Sequence, residues 1–136
     1  MDLAVARRLD EPERLEQIFQ QLAAGANCPP SSSLGRLFDA VAGLCGLARA
    51  NRYEGQAPML LEAAAAKGIE EAYPYLLSGD EPFVIDHAPL IRAVVADLQA
   101  GLDAPTVSAR FHNTVAAFLA ASAGRARELT GLDTVA

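Results

Sequence analysis

The chain has 136 residues, a net charge of −6 and 51% apolar side chains. That length suits one domain that can bury a core without metal or disulfide staples, and no apolar run reaches the roughly 18 residues of a membrane span. The acidic balance, with one Lys and ten Arg scattered along the chain, excludes a surface built for phosphate backbones, because nucleic-acid binding needs clustered basic residues. Neither a nucleic acid nor a membrane is therefore an expected partner. Alanine accounts for 28 residues, Phe and Tyr together for eight, so the core has to come from closely packed helices. Cys28 and Cys45 lie 17 residues apart with no C-x-x-C pattern. A zinc site or disulfide framework is not expected, and a reducing, cytoplasmic setting fits. Met1 to Asp10 is charged and holds no apolar signal segment.

The elements read as helices with short interruptions. Residues 1–9 suggest a short helix of their own, frayed at the terminus. Asp10 is placed to cap a helix whose first turn holds Glu11, Pro12 and Glu13, residues favoured where the first amides lack internal acceptors. Leu15, Ile18, Phe19 and Leu22 follow at helical spacing, and Gly25 ends the run. Asn27 to Ser33 is a break, with two prolines and three serines. A helix over about 33–47 comes next, its apolar stripe made by Leu34, Leu37, Phe38, Val41, Leu44 and Cys45. After a polar stretch from Arg49 to Gln56, Pro58 opens a helix through about Lys67, with Ala63–Ala66 as strong helix formers and Gly68 as its cap.

Residues 73–86 differ. Tyr73–Leu77 and Pro82–Ile85 flank Ser78-Gly79-Asp80-Glu81, which reads as a β-hairpin. Asp86 or His87 leads into a helix from Pro89 that Gly101 closes, and His87 reads as structural. The last helix starts near Asp103, with Pro105 in its first turn, and ends at Gly131. Leu132 to Val135 reads as the start of a strand of a larger sheet, a frayed tail being the alternative. The expected whole is a single, mainly α unit over 1–136, with one hairpin.

Two faces carry candidate chemistry. Projected at 100° per residue, Asp39 lies nearly opposite the apolar stripe of its helix, among Gly35, Ala42, Gly43 and Gly46. Glycines in a helix cost about 1 kcal/mol each relative to Ala, so something has to approach this face. A neighbouring helix backbone would do so. A hydroxyl-bearing ligand would also, since a carboxylate suits a ribose diol. The second face is on the last helix. Val107, Phe111, Thr114, Val115 and Phe118 form an apolar side, and Ala109, Ala116, Ala120 and Ala123 a small-residue side. His112 sits between them and reads first as a core histidine bonded to backbone carbonyls. No phosphate loop, nucleophile elbow or metal-binding His pair is present.

Four segments resemble a known family. Ser31-Ser32-Ser33-Leu34-Gly35-Arg36-Leu37-Phe38-Asp39-Ala40-Val41-Ala42 is similar to the SS-x-GRLFDAVA motif of the hydrogenase maturation carbamoyltransferase HypF. Tyr53-Glu54-Gly55-Gln56-Ala57, ending in Leu61-Glu62, resembles its YEGQA…LE motif. Arg110-Phe111-His112-Asn113-Thr114-Val115-Ala116 resembles RFHNTLA, and Thr130 to Ala136 the segment before a Ser-Gly-Gly loop. The match covers about residues 27–136.

The resemblance implies a helical segment of a two-lobed actin- and sugar-kinase-like (ASKHA) domain, the TsaD- and TobZ-related carbamoyltransferase domain of HypF. It implies ATP as the bound nucleotide and HypE as the partner of the intact protein, which makes carbamoyl adenylate from carbamoyl phosphate and ATP and passes the carbamoyl group to the C-terminal Cys of HypE. It also implies that Asp39, together with Glu54, Gly55 and Gln56, faces the nucleoside. Gln56 stands where the TsaD relatives carry a second glycine. His112 and Asn113 fall in a motif without an assigned role and stay as secondary candidates. The paired-His metal motif and the phosphate loop of the family have no counterpart in the chain, so the expectation is a fragment, inactive alone, whose uncovered faces favour a homodimer. The competing expectation is a free-standing helical interaction module with no nucleotide role.

Overall fold

The computed structural model describes residues 12–134. The expected helix over 1–9, the capping role of Asp10 and the last two residues lie outside that range. Five helices and one hairpin follow in order: α1 (Pro12–Ala24), α2 (Leu34–Leu44), α3 (Gln56–Ala64), β1 (Leu76–Ser78), β2 (Val84–Asp86), α4 (Ala88–Gln99) and α5 (Ala104–Thr130). None of these helices is long and apolar enough to cross a membrane.

Helix α5 is the spine. Asp103 caps it, its carboxylate accepting the Thr106 N–H at 3.0 Å; the Thr106 side chain first, and this backbone amide second, hold the Asp103 carboxyl below its usual range. Gly131 closes it at φ +72°, its N–H donating to the Arg127 carbonyl at 2.8 Å. Helices α3 and α4 pack on α5, and α2 packs on α3 and α4. Val41 and Ala42 from α2, Ala57 and Leu61 from α3, Leu90 and Val94 from α4, and Val107, Phe111, Val115 and Phe118 from α5 form one buried cluster. Phe38 meets Phe111 edge-on at 4.8 Å between ring centroids. The apolar side expected for α5 is thus the buried one. Its alanine side divides: Ala109 is buried, whereas Ala116 and Ala120 are exposed.

The chain between α3 and the hairpin is irregular, and α5 stitches it down. Asn113 Nδ2 donates to the carbonyls of Ile69 at 2.8 Å and Glu71 at 3.0 Å. Thr114 Oγ1 accepts the Tyr73 N–H at 2.6 Å. The Tyr73 hydroxyl donates to Asp97 at 2.9 Å, and Arg110 reaches the same carboxylate oxygen at 2.8 Å. Burial first, and the Asp97 hydrogen bond second, push the Tyr73 hydroxyl above its ordinary pKa. The hairpin pairs antiparallel, Leu77 opposite Ile85, with strands shorter than expected. Arg125 of α5 holds its turn by donating to the Gly79 carbonyl at 3.1 Å.

Three expectations are corrected. The second helix stops at Leu44, not near 47, because Gly46 at φ +72° turns the chain: Leu47 N–H returns to the Ala42 carbonyl and Gly46 N–H to that of Gly43. Gly46 is therefore a terminator rather than part of the face around Asp39. The third helix runs Gln56–Ala64 and not 58–67. Ser108 Oγ donates to the Leu61 carbonyl at 2.5 Å, and the Ala66 N–H donates to the Pro105 carbonyl at 3.0 Å. These bonds to α5 take groups that a continuing helix would use, and override the propensity of the alanine run. Finally, residues 131–134 are irregular and exposed rather than extended as a strand.

Candidate functional site: the cleft between α2 and the loop to α3

Asp39 sits mid-way along α2 with its side chain 26% exposed. The loop that follows α2 comes back across it. Asn51 Nδ2 donates to Asp39 Oδ1 at 2.9 Å, and Arg36, one turn earlier, reaches Oδ2 at 3.3 Å. Asn51 Oδ1 in turn accepts the N–H of Ala57, in the first turn of α3, at 3.0 Å. Gln56 Oε1 accepts the Arg52 N–H at 2.7 Å and closes the loop on itself. Gly55, the residue entering α3, has φ +82°, and a Cβ there would meet nothing within 4 Å. Glycine is needed at this position for its backbone angle and not for packing within the chain.

Between α2 and this loop lies an open cleft of about 660 Å³. Asp39, Glu54 and Gly55 line it, together with Arg36, Asn51, Arg52 and Tyr53. Two carboxylates and two guanidiniums thus border one space, and the Tyr53 ring at its edge is 56% exposed. Such a wall offers hydrogen-bond acceptors from Asp39, donors from the arginines and a flat aromatic face. The glycines of α2 are not tightly approached by this chain. A Cβ at Gly35 would lie 3.6 Å from Ser33 Oγ, and one at Gly43 4.0 Å from the Ala48 carbonyl. The expected face is split: Ala42, placed beside Asp39 and away from the apolar stripe, is 0% exposed and joins Ala57 of α3 in the core, while the loop meets Asp39 polar to polar.

The structure brings Asp39, Glu54 and Gly55 together. Gln56 belongs to the same loop, but its side chain is spent on the Arg52 amide. His112 and Asn113 lie on α5 outside the cleft lining. The His112 Nδ1 is 2.8 Å from the Ser108 carbonyl, and its ring meets Phe38 edge-on at 5.5 Å. Asn113 holds the Ile69 and Glu71 carbonyls. Cys45 offers no nucleophile, since burial pushes its thiol up to about 11. Among the described residues no group of three or more His, Cys, Asp or Glu is placed to hold a metal ion. Tyr53 belongs to the Tyr53–Gln56 segment that the resemblance already turned toward the nucleoside. Sequence reasoning missed Arg36, Asn51 and Arg52. Arg36 stands in the quoted motif and was findable, whereas Asn51 sits in a polar stretch with no pattern.

The family model for the second subdomain of the carbamoyltransferase Kae1-like domain matches residues 2–136. The chain belongs to this family. Within it, the chain is similar to the carbamoyltransferase HypF of Synechocystis sp., 34% identical over 105 residues that make up 76% of this chain and 13% of that protein. It is also similar to HypF of Rhodobacter capsulatus, 39% identical over 130 residues, covering 92% of the chain and 16% of the relative, and to a HypF homolog of Cupriavidus necator, 38% identical over 117 residues, covering 81% and 29%. The crystal structure of a full-length HypF in the phosphate- and nucleotide-bound form superposes with a TM-score of 0.86 at 36% identity, covering 95% of this chain and 17% of that one. The Kae1-like segment described here thus spans under a third of each of these relatives. Its mainly helical fold is that of the matching HypF segment.

Proposed function

We propose that the α2–α3 cleft holds the nucleoside of ATP in a HypF-type carbamoyltransferase. The observation that carries the reading is Asp39: a carboxylate held by one partner on each oxygen, at the centre of a cleft whose floor enters α3 through a left-handed glycine. Each oxygen keeps an acceptor direction for a ligand hydroxyl, which suits the two hydroxyls of a ribose. Glu54 and Gly55 border the same space, and Gln56 acts one step removed by shaping the loop. The nucleotide named for the similar full-length HypF supports this choice of ligand.

In the reading extended to the whole polypeptide, ATP and carbamoyl phosphate give carbamoyl adenylate, and the carbamoyl group passes to the C-terminal Cys of HypE in hydrogenase maturation in the cytoplasm. This segment holds the nucleoside. The phosphoryl and carbamoyl chemistry falls to groups elsewhere in the polypeptide, so the segment alone is inactive. The test is calorimetry of ATP binding to the full-length protein carrying Asp39→Ala. Loss of hydrogen bonds to a charged group should weaken binding by about 1.5–3 kcal/mol, or roughly 10- to 150-fold. Unchanged affinity would refute the reading.

A further inference from the structure

We infer that Asn51 is a positioning residue that sets the orientation of the Asp39 carboxylate in the cleft. The inference rests on the nucleoside reading above. Asn51 is exposed and lies outside any helix or strand, yet its side-chain amide is committed at both ends. The Oδ1 accepts the Ala57 N–H at 3.0 Å, and the Nδ2 donates to Asp39 Oδ1 at 2.9 Å.

The first bond decides the second. Ala57 is the second residue of α3, so its N–H has no acceptor inside the helix. Only the carbonyl end of the Asn51 amide can accept it. The NH₂ end then faces Asp39, where a carboxylate needs a donor. Flipping the amide would break both bonds at once. A carboxylate that grips a diol needs its plane held, because each oxygen must meet one hydroxyl. Arg36 touches the other oxygen, but at 3.3 Å and from a side chain that is 77% exposed. Asn51 is tied to the backbone at Ala57, a residue only 2% exposed. The firmer hold on the carboxylate plane therefore comes from Asn51.

The discriminating variant is Asn51→Asp. It keeps an acceptor for the Ala57 N–H, and a carboxylate at a helix N-terminus is favourable, so the fold is retained. It replaces the donor facing Asp39 with a second carboxylate. The other charged groups around the pair are Arg36 of α2 and Arg52 and Glu54 of the loop; the arginines offset part of the repulsion and Glu54 adds to it. In the full-length protein at pH 7.5, ATP affinity by calorimetry should fall about tenfold, with the melting temperature within about 2 °C of wild type. Adenosine carries no phosphate to titrate. With it as the probe, the gap to wild type should narrow as pH falls from about 7.5 to about 5, because two adjacent carboxylates take up one shared proton and the resulting O–H restores a donor. Unchanged ATP affinity in Asn51→Asp, with Asp39→Ala still weakening it, overturns the inference and leaves the nucleoside reading standing. A pH-independent loss accompanied by a lowered melting temperature also overturns it, by making Asn51 purely structural. If Asp39→Ala binds ATP like wild type, the nucleoside reading fails and the inference falls with it.

Discussion

Asn113 stands in a family-like motif beside His112, and the structure gives it a job that needs no ligand. Its Nδ2 supplies both N–H donors to the irregular segment after α3, one to Ile69 in a half-buried setting and one to Glu71 in an exposed one. In Asn113→Ala both carbonyls lose their donor. The half-buried bond is worth about 1 kcal/mol and the exposed one about half that, since water can replace it. Alanine is the better helix former by about 0.5 kcal/mol, which offsets part of the loss. The net destabilisation should be about 1 kcal/mol. With a urea slope of about 1.5–2 kcal/mol per molar for a domain of this size, the unfolding midpoint should drop by about 0.5–0.7 M. Asn113→Asp should cost more, because it sets a carboxylate against two carbonyl oxygens. Circular dichroism during urea unfolding of the chain measures the first quantity, and ATP calorimetry on the same variants of the full-length protein measures the second. Stability should fall while ATP affinity stays unchanged. A variant of native stability that binds ATP tenfold more weakly would refute this and return Asn113 to the site.

Two further outcomes follow from burial and exposure. Cys45 and Tyr73 both have pKa values raised by burial. Their stabilisation is complete below the unfolded values near 9 and 10 and is lost as pH rises through the folded ones, so urea midpoints should be flat up to about pH 8.5 and then fall, Cys45 contributing between about 9 and 11; a midpoint unchanged to pH 11 would contradict the buried placement of both. The α1 side chains Ile18, Phe19 and Leu22 are 45%, 60% and 57% exposed, so this chain alone should dimerise at submillimolar concentration in moderate salt, and Phe19→Glu should suppress it; light scattering that finds a strict monomer would exclude α1 as an adhesive face.

Helices whose ends are set locally were legible in the sequence. Gly25, Gly101 and Gly131 end α1, α4 and α5, and Asp103 with Pro105 opens α5 where capping chemistry places it. The hairpin was legible for the same reason, with turn residues between two apolar runs. The ends that were misread depend on distant partners. Ala65 and Ala66 have every local reason to be helical, but Ser108, 47 residues beyond Leu61, takes the Leu61 carbonyl, and Pro105 takes the Ala66 amide. Gly46 was misread because periodicity does not distinguish a glycine inside a helix from one just past its end. The backbone angle makes that distinction, and no pattern of side chains encodes it.

The cleft follows the same division. Asp39 could be picked out because the glycines around it on one side of a helix are costly unless something approaches that side. What meets it within this chain is a loop held by its own short-range bonds, Gln56 to Arg52 and Asn51 to Ala57. That loop touches α2 polar-to-polar at Asp39, while beneath it α2 and α3 contribute Ala42 and Ala57 to the buried core, each at most 2% exposed. Small side chains at both places leave room for the helices to lie close, and the position of α3 sets where Asn51 must stand. The orientation of the carboxylate is therefore a product of core packing transmitted through a helix N-terminus and one amide. That explains why the carboxylate was legible in the sequence while the asparagine bonded to it was not: glycines gathered around Asp39 announce a cost, whereas an asparagine in a polar loop looks like any other.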